Sequence, residues 1–430
     1  MPTASGQASG MTIPSRFRLV LHTHAVRASV ATLVLAAALA GCATPGGPAA
    51  ETGPGPVAGP GQVPSPVAPT TERTSDTAWL PVPEGPLTAR HSAVGAWVGN
   101  RFVVVGGMTS EPCADTADCE ITAFPRSDGA AFDPESGAWT RIADAPAPVA
   151  GQVAVIGDRM FVMTVVSGPG GTEARSFLAY DPRNDAWEQL RPAPPVWGAL
   201  VTAGDHILSI APSDENTRAI DAVFDPSTGA WRELPDDPLG PSYDRQAVWL
   251  GDRLLLTAKD LVENPGAAEP SLSRLAVLEG SPASPESLRW RVLPDSDIIG
   301  YDPMAVAGRV VFPDMGSADG GAVDGWGRSV DFGGILDPAT LSWRPLPEPP
   351  AGPGLERYAT HTRTSLRIGD RALVAGHLLL DPVTEDWLFV PVLPGPDRTE
   401  GTLVTNDDAV LLWGGAADGA NRADGYLLRP

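Results

Sequence analysis

The sequence predicts an all-β chain of seven repeated four-stranded sheets, and two independent counts together with the composition carry that prediction. Tryptophans followed three positions later by Leu, Ile or Val recur at intervals of 44 to 60 residues at Trp79, Trp139, Trp187, Trp231, Trp290, Trp343 and Trp387, seven in register, with Trp197 an extra match ten residues past Trp187. Apolar runs are broken by short turns at Gly99-Asn100-Arg101, Gly157-Asp158-Arg159, Gly204-Asp205-His206, Gly251-Asp252-Arg253, Ala307-Gly308-Arg309, Gly369-Asp370-Arg371 and Asn406-Asp407-Asp408, again seven. Such residues tolerate the positive φ that a two-residue hairpin needs. Gly 47, Pro 46 and 43% hydrophobic residues suit a chain rich in turns, and no long segment carries a 3.6-residue apolar rhythm.

Each repeat ends in a strand, a tight turn and a second strand. The clearest copy is Phe224-Asp225-Pro226-Ser227-Thr228-Gly229-Ala230-Trp231. Proline fixes φ at the first corner, the Asp side chain bonds nearby backbone N–H groups, and Gly229 takes the left-handed exit. The unit recurs from Asp133, Asp181, Asp337 and Asp381, and the fourth repeat has Ser284-Pro285 in place of Asp-Pro.

From Trp79 to Trp387 the chain advances about 51 residues per repeat. Arg90-His91-Ser92-Ala93-Val94, then Arg101 to Gly106-Gly107, then Phe132 and Trp139, resembles a kelch repeat, and the likeness covers residues 78–430. Only Gly106-Gly107 and Gly414-Gly415 keep the double glycine. The resemblance implies a β-propeller. The last repeat stops at Gly425-Tyr426-Leu427-Leu428, a third strand, so Trp79 is expected to supply the missing fourth strand and close the ring, removing open sheet edges. The expected fold is therefore a seven-bladed kelch-type propeller over 77–430, expected to be a monomeric head.

The amino end reads as a targeting segment. Arg16, Arg18 and Arg27 precede the apolar run Ala31 to Ala40, and Leu39-Ala40-Gly41-Cys42 resembles the lipobox of bacterial lipoproteins. Residues 1–41 are expected to be a signal peptide, with Met11 a second candidate start, and Cys42 the lipidated residue. The apolar run is short for a bilayer span. Residues 42–76, rich in Pro, Gly, Ala and Thr, are expected to be a disordered tether reaching on the order of 100 Å. The expected location is the outer side of the cytoplasmic membrane, attached through lipid alone. Cleavage before Cys42 removes three arginines and no acid, which takes the net charge from -22 to about -25 and disfavours nucleic acid and anionic lipid as partners. Cys113 and Cys119, six apart in one polar loop, are expected to form a disulfide in an oxidising compartment; two thiols are too few for a metal.

In a four-strand meander the first-to-second and third-to-fourth turns share one face, and these are short apart from an excursion between Glu279 and Ser287. The second-to-third loops and the blade-to-blade connections share the other face. Long segments fall there: Met108–Asp128, Ala258–Ser273, Pro313–Asp331 and Gly414–Gly425. Insertions gathered on one face of a repeat protein mark its binding face.

The first strands begin on that face with Arg90-His91, Trp197, Arg245, Tyr301, Arg357 and Arg398. Arginine offers forked donors for carboxylates or sulfates, so these residues, with Trp197 and Tyr301 as stacking surfaces and Trp326 in a glycine-flanked loop, are the candidates for an anionic or carbohydrate ligand. The competing expectation is that the arginines pair with Asp244, Asp302 and Glu400 and only tie blades together. Trp97, Trp249 and Trp413 fall in strands and are expected in the core.

Kelch-type propellers include copper radical oxidases resembling galactose oxidase, which need two histidines, two tyrosines and a tyrosine-linked cysteine. After the signal this chain has His91, His206, His361 and His377, and its two remaining cysteines share one loop. Sugar isomerisation, as in propellers resembling the sialic acid mutarotases, needs a tuned acid or base, for which His91, Glu400 or Glu356 stand near the rim. No nucleophile triad, phosphate loop or zinc motif is present, and the acids Asp115, Asp118, Glu120 and Asp314, Asp319, Asp324 fit no EF-hand pattern. No catalytic residue, metal or cofactor is expected. The reading favoured by the sequence is a membrane-tethered, extracytoplasmic recognition module for a glycan, an anionic ligand or an envelope protein. A mutarotase- or epimerase-like enzyme is the alternative, and a structural envelope lipoprotein with a broad apolar patch the third.

Overall fold

The computed structural model describes residues 78–110, 125–167, 173–191, 198–216, 218, 220–262, 271–300, 302–313, 331–350, 366–374, 378–396 and 398–430. All of them belong to one compact unit, Pro66–Ala114 with Cys119–Pro430. The signal segment, the tether, Cys42, Cys113, Cys119, Trp197, Tyr301, Trp326, Arg357, His361, His377 and Glu356 lie outside the described residues.

The chain enters on a short strand, β1 (Leu80–Pro81), and then builds six complete sheets in sequence order. Blade 1 holds β2 (Val94–Val98), β3 (Arg101–Val105), β4 (Gly129–Asp133) and β5 (Ala138–Ile142); blade 2 holds β6 (Gly151–Ile156), β7 (Arg159–Ser167), β8 (Glu173–Asp181) and β9 (Ala186–Leu190). Blade 3 follows with β10 (Ala199–Ala203), β11 (His206–Ile210), β12 (Ala222–Asp225) and β13 (Ala230–Glu233), and blade 4 with β14 (Ser242–Trp249), β15 (Arg253–Asp260), β16 (Ser273–Glu279) and β17 (Arg289–Val292). Blade 5 comprises β18 (Met304–Val306), β19 (Arg309–Phe312), β20 (Gly334–Asp337) and β21 (Ser342–Pro345), and blade 6 β22 (Leu366–Ile368), β23 (Arg371–Val374), β24 (Leu378–Leu380) and β25 (Trp387–Phe389). Blade 7 has β26 (Thr402–Thr405) and β27 (Val410–Trp413), then a small hairpin of β28 (Ala416–Ala417) and β29 (Ala420–Asn421), then β30 (Gly425–Leu428).

Blade 7 is completed from the other end of the chain. Its order is β1-β30-β27-β26, with Leu80 opposite Leu427 and Pro81 opposite Tyr426. The inner strands pack side by side as β2, β6, β10, β14, β18, β22 and β26, and β26 returns to β2, so the seven sheets form a closed ring. This is the closure expected from Trp79, which is 7% exposed and packs with Ile368, Leu373, Val410 and Leu428 between blades 6 and 7.

Every interface between adjacent blades carries its own apolar cluster. Middle strands are therefore covered on both faces, which is why Phe102-Val103-Val104-Val105 and Leu254-Leu255-Leu256 read as unbroken apolar runs with no alternation.

The outer tryptophans link neighbouring blades by a second device. Trp187, Trp231, Trp290 and Trp387 each donate the indole N–H to the carbonyl of Ala143, Arg191, Pro235 and Pro347, at 2.8, 3.2, 2.8 and 3.1 Å. Each acceptor lies four residues beyond the tryptophan of the preceding repeat.

The double glycines are required by close crossings. Gly106 has φ 73°, and a Cβ there would lie 2.1 Å from the Val149 carbonyl oxygen; Gly415 has φ 90°, and its Cβ would lie 2.7 Å from that of Thr399. Two of the expected long loops are partly regular structure. The Ala258–Ser273 segment is shortened because β15 runs to Asp260 and β16 starts at Ser273, and Gly414–Gly425 contains the β28–β29 hairpin, whose Ala416 and Ala417 are buried. Trp413 is core at 1% exposure, whereas Trp97 and Trp249 are half-buried.

Candidate functional site

The face formed by the second-to-third loops and the blade connections begins with the candidate arginines. Arg90 has no exposed surface. Its Nη1 and Nη2 donate to the two carboxylate oxygens of Asp128 at 2.7 and 3.0 Å, Nη1 also reaches the Gly106 carbonyl at 3.0 Å, and Nε donates to the Thr88 carbonyl at 2.9 Å. The hydrogen bonds from Arg90 hold the Asp128 carboxyl below its ordinary range against the opposing effect of burial.

Arg398 repeats the arrangement in blade 7. Its Nη2 donates to Asp424 at 2.7 Å and Nη1 to the Gly414 carbonyl at 3.0 Å, with the guanidinium carbon 5.4 Å from the Tyr426 ring centre. In both blades the aspartate immediately precedes the third strand and the carbonyl belongs to the first glycine of the pair. Arg245, at 2% exposure, crosses between blades instead: Nη2 donates to Asp221 at 2.8 Å and Asp237 at 2.7 Å, and Nη1 to the Ala211 carbonyl at 2.8 Å.

These positions correct the ligand-donor expectation for Arg90 and Arg245, and they keep the ion-paired, tying role of the competing expectation while changing its partners. Arg90 and Arg245 present no guanidinium surface to a ligand, and the partners are Asp128, Asp221, Asp237 and Asp424, not Asp244, Asp302 and Glu400. The physical reason is local: each arginine enters a sheet beside an unpaired carbonyl after the second strand and a carboxylate before the third, and a buried guanidinium needs several acceptors at once.

The three rim acids have other partners. Asp244 lies 3.6 Å from the buried Lys259, and Asp302 accepts from Gln246 Nε2 at 2.7 Å while its own N–H donates to Gln246 Oε1 at 2.8 Å. Glu400 Oε2 lies 2.5 Å from His91 Nδ1 and accepts from Ser92 Oγ at 2.6 Å. Ser92, Asp244, Asp302 and Glu400 all have left-handed backbone, with φ between 48° and 54°. Three inner strands thus open just after a polar residue held in a sparsely populated conformation, and β14 carries its own at a register shift between Tyr243 and Gln246, a feature that clusters at functional rims. The His91 hydrogen bond, with a smaller contribution from Ser92, holds Glu400 below its ordinary range. His91 is 7% exposed and its Nε2 has no partner among the described residues.

A cleft of about 410 Å³ opens on the same face between blades 3 and 4. One wall is the second-to-third loop of blade 3, with Asp214, Glu215 and Arg218; the other is the connection to blade 4, with Asp236, Asp237 and Gly240. Its size is within the range of ligand cavities. Asp214 accepts from the Ser242 backbone N–H at 2.6 Å, and Asp236 accepts from Arg218 Nε at 2.9 Å and Nη2 at 2.5 Å. Sequence reasoning found the face and Arg245 but missed the cleft. Two adjacent acid pairs, Asp214-Glu215 after a second strand and Asp236-Asp237 after the fourth strand of the same repeat, were the available signal.

No family model matches the chain. Over 130 residues, covering 28% of this chain and 21% of theirs, it is 25% identical to Kelch-like protein 36 of Rattus norvegicus and of Mus musculus; the match thus spans about a fifth of those relatives' length. The fold is a seven-bladed propeller of kelch type. The solved structure of YjhT, 14% identical, covers 81% of this chain and 99% of its own with a TM-score of 0.43. A fungal alcohol oxidase of the AA5 family in complex with copper, also 14% identical, covers 81% of this chain and 64% of its own at 0.38. The propeller assignment rests on the chain's own sheets and their closure.

Proposed function

We propose that the chain is a recognition module that binds its ligand through the propeller face carrying the second-to-third loops and the blade connections. The supporting observation is the cleft between blades 3 and 4, which lies on the face that topology reserves for variable segments. The lipobox-like Leu39-Ala40-Gly41-Cys42 and the Pro/Gly-rich segment after it support a lipid-tethered, extracytoplasmic setting for that module. With Arg90 and Arg245 enclosed in ion pairs, an anionic ligand loses two of its expected donors, which shifts weight toward a protein partner.

The test is a screen of the full-length protein against arrays of glycans and peptides, followed by two double variants. Asp214→Ala with Glu215→Ala alters the cleft face, and Asp158→Ala with Asp252→Ala alters the opposite, turn-bearing face. The reading expects hits to be lost in the first pair and kept in the second; loss in the second pair, or in neither, contradicts it.

A sugar-modifying enzyme is the second reading, favoured by the contact between His91 and Glu400 at the inner rim. Against it, Glu400 is held deprotonated and so is a poor general acid near neutral pH. Anomeric exchange of reducing sugars, followed by NMR, is expected to proceed at the uncatalysed rate. Acceleration that disappears in Glu400→Gln would make this the better account.

A further inference from the structure

We propose that Arg126 and Arg141, on the loop-bearing face of blade 1, form a docking point for one carboxylate, the aspartate or glutamate side chain of a protein partner. This inference rests on the recognition reading and adds to it a second contact, outside the cleft.

Charge makes the first part of the case. Three guanidinium groups converge on Asp128. The buried Arg90 holds both carboxylate oxygens at 2.7 and 3.0 Å, Arg126 Nε lies 3.6 Å from Oδ1, and Arg141 Nη1 lies 3.8 Å from Oδ2. Among the described residues no other carboxylate pairs with any of these three arginines, and no other carboxylate gathers three arginines. Three cations against one anion leave a local surplus of two positive charges, in a chain whose net charge is -22.

Unspent donors are the second, separate observation. Arg90 takes the near positions on Asp128, which leaves Arg126 and Arg141 beyond hydrogen-bond distance of it. The Arg126 side chain donates no hydrogen bond among the described residues. Arg141 spends one of its five N–H groups, through Nη2, on the Pro86 carbonyl at 3.1 Å. The two side chains are 53% and 55% exposed, so their remaining donors are open to a partner. An acceptor entering beside Asp128 completes both guanidinium groups.

The backbone holds the two cations in place. Arg126 donates its N–H to the Gly107 carbonyl at 2.8 Å, and its own carbonyl accepts from the Val149 N–H at 2.9 Å. Arg141 sits in β5 opposite Ala130 of β4. Like charges free to move would separate; here both heads stay beside one anion, so a ligand finds its donors already gathered and little ordering is left to do. The setting selects among anions. A small free anion on an exposed rim keeps its water, whereas a protein surface brings its own cover, and a carboxylate fits the parallel N–H pair of a guanidinium fork. The acidic remainder of the chain repels a polyanion, and a local positive spot within that field admits a single carboxylate in one register.

The test uses the full chain and four capped pentapeptides of glycine around one central residue: aspartate, glutamate, asparagine or glutamine. Binding is read by NMR titration at constant ionic strength. The aspartate and glutamate peptides are expected to bind at least tenfold more tightly than their neutral counterparts. Arg126→Gln, an exposed change that leaves the Arg90 to Asp128 pair intact, and the pair Arg126→Gln with Arg141→Gln are expected to weaken the aspartate peptide, the pair by tenfold or more. Arg101→Gln with Arg371→Gln removes the same charge from the opposite face and is expected to leave binding unchanged. Equal loss in both double variants would reduce the effect to net charge and overturn the proposal. So would asparagine binding as well as aspartate, or inorganic sulfate competing better than the aspartate peptide, which would make the place a site for free anions. If the peptides fail while an array hit is still lost in the Asp214 and Glu215 variant, this inference falls and the recognition reading stands. If they bind through Arg126 and Arg141 while that variant keeps every array hit, the cleft reading falls and this contact stands.

Discussion

Trp139 donates its indole N–H to the carbonyl oxygen of Pro83 at 3.0 Å, and Pro83 lies four residues beyond Trp79. That is the spacing of the other four indole-to-carbonyl bonds, so the segment after Trp79 occupies the place of a fourth-strand exit from blade 7. The first described strand is thereby a working member of the last sheet, and Trp139 of blade 1 reads it as such. Trp79 itself departs from the pattern, since its Nε1 is buried without a partner among the described residues.

Trp139→Phe should remove one bond from this strap while keeping most of the ring contact with Phe132 and Trp413. A single neutral hydrogen bond is worth about 1 kcal/mol. Chemical denaturation is expected to show a loss of that order, and a variant as stable as the parent would remove the indole bond from the account of closure.

Asp128→Asn should be far more costly, because it leaves Arg90 buried without its counter-charge. Breaking such a pair typically costs about 3–5 kcal/mol, and replacing both partners, Arg90→Met with Asp128→Leu, is expected to cost less. The pH dependence follows from the sign of the shift. Asp128 titrates lower in the folded chain than its ordinary value of 3.8, so it adds stability above that value and loses the contribution as pH falls below about 4. Asp128→Asn should therefore show a shallower acid decline than the parent; an identical slope would contradict the pairing.

Gly106→Ala and Gly157→Ala separate two roles of glycine. Both residues have left-handed φ, but a Cβ at Gly157 meets open space whereas one at Gly106 meets the Val149 carbonyl. Gly157→Ala is expected to cost about 1–2 kcal/mol from backbone strain alone. Gly106→Ala should cost clearly more, because the blade 1 to blade 2 connection must move; equal melting temperatures would show that the crossing has slack.

The fold was legible because its signals repeat. Trp79 at the front and the missing fourth strand after Leu428 together announced closure, and the Gly-Asp-Arg and Asp-Pro turns fell where hairpins occur. The arginines were legible only as a cluster. Arg90 and Gly106 are sixteen residues apart, as are Arg398 and Gly414, and each pair is completed by an Asp-Gly, Asp128-Gly129 or Asp424-Gly425, at the start of the third strand. That regularity marks a structural tie, and it becomes visible once strand pairing sets the three segments side by side. The cleft was hidden for a different reason: its acids come from two loops of one repeat that are about twenty residues apart, and their shared face follows from topology, not from spacing.

The closed ring holds a face of short, uniform turns opposite a face of long, diverse segments, so the most direct measurement is hydrogen exchange across Gly425–Leu428 in Trp79→Ala. Losing this side chain should cost roughly 3–5 kcal/mol and release β1 from β30. The expected result is a large loss of protection at Gly425–Leu428, with blade 3 amides exchanging as in the parent. Unchanged protection at Gly425–Leu428 would mean that the two ends of the chain do not hold the ring together.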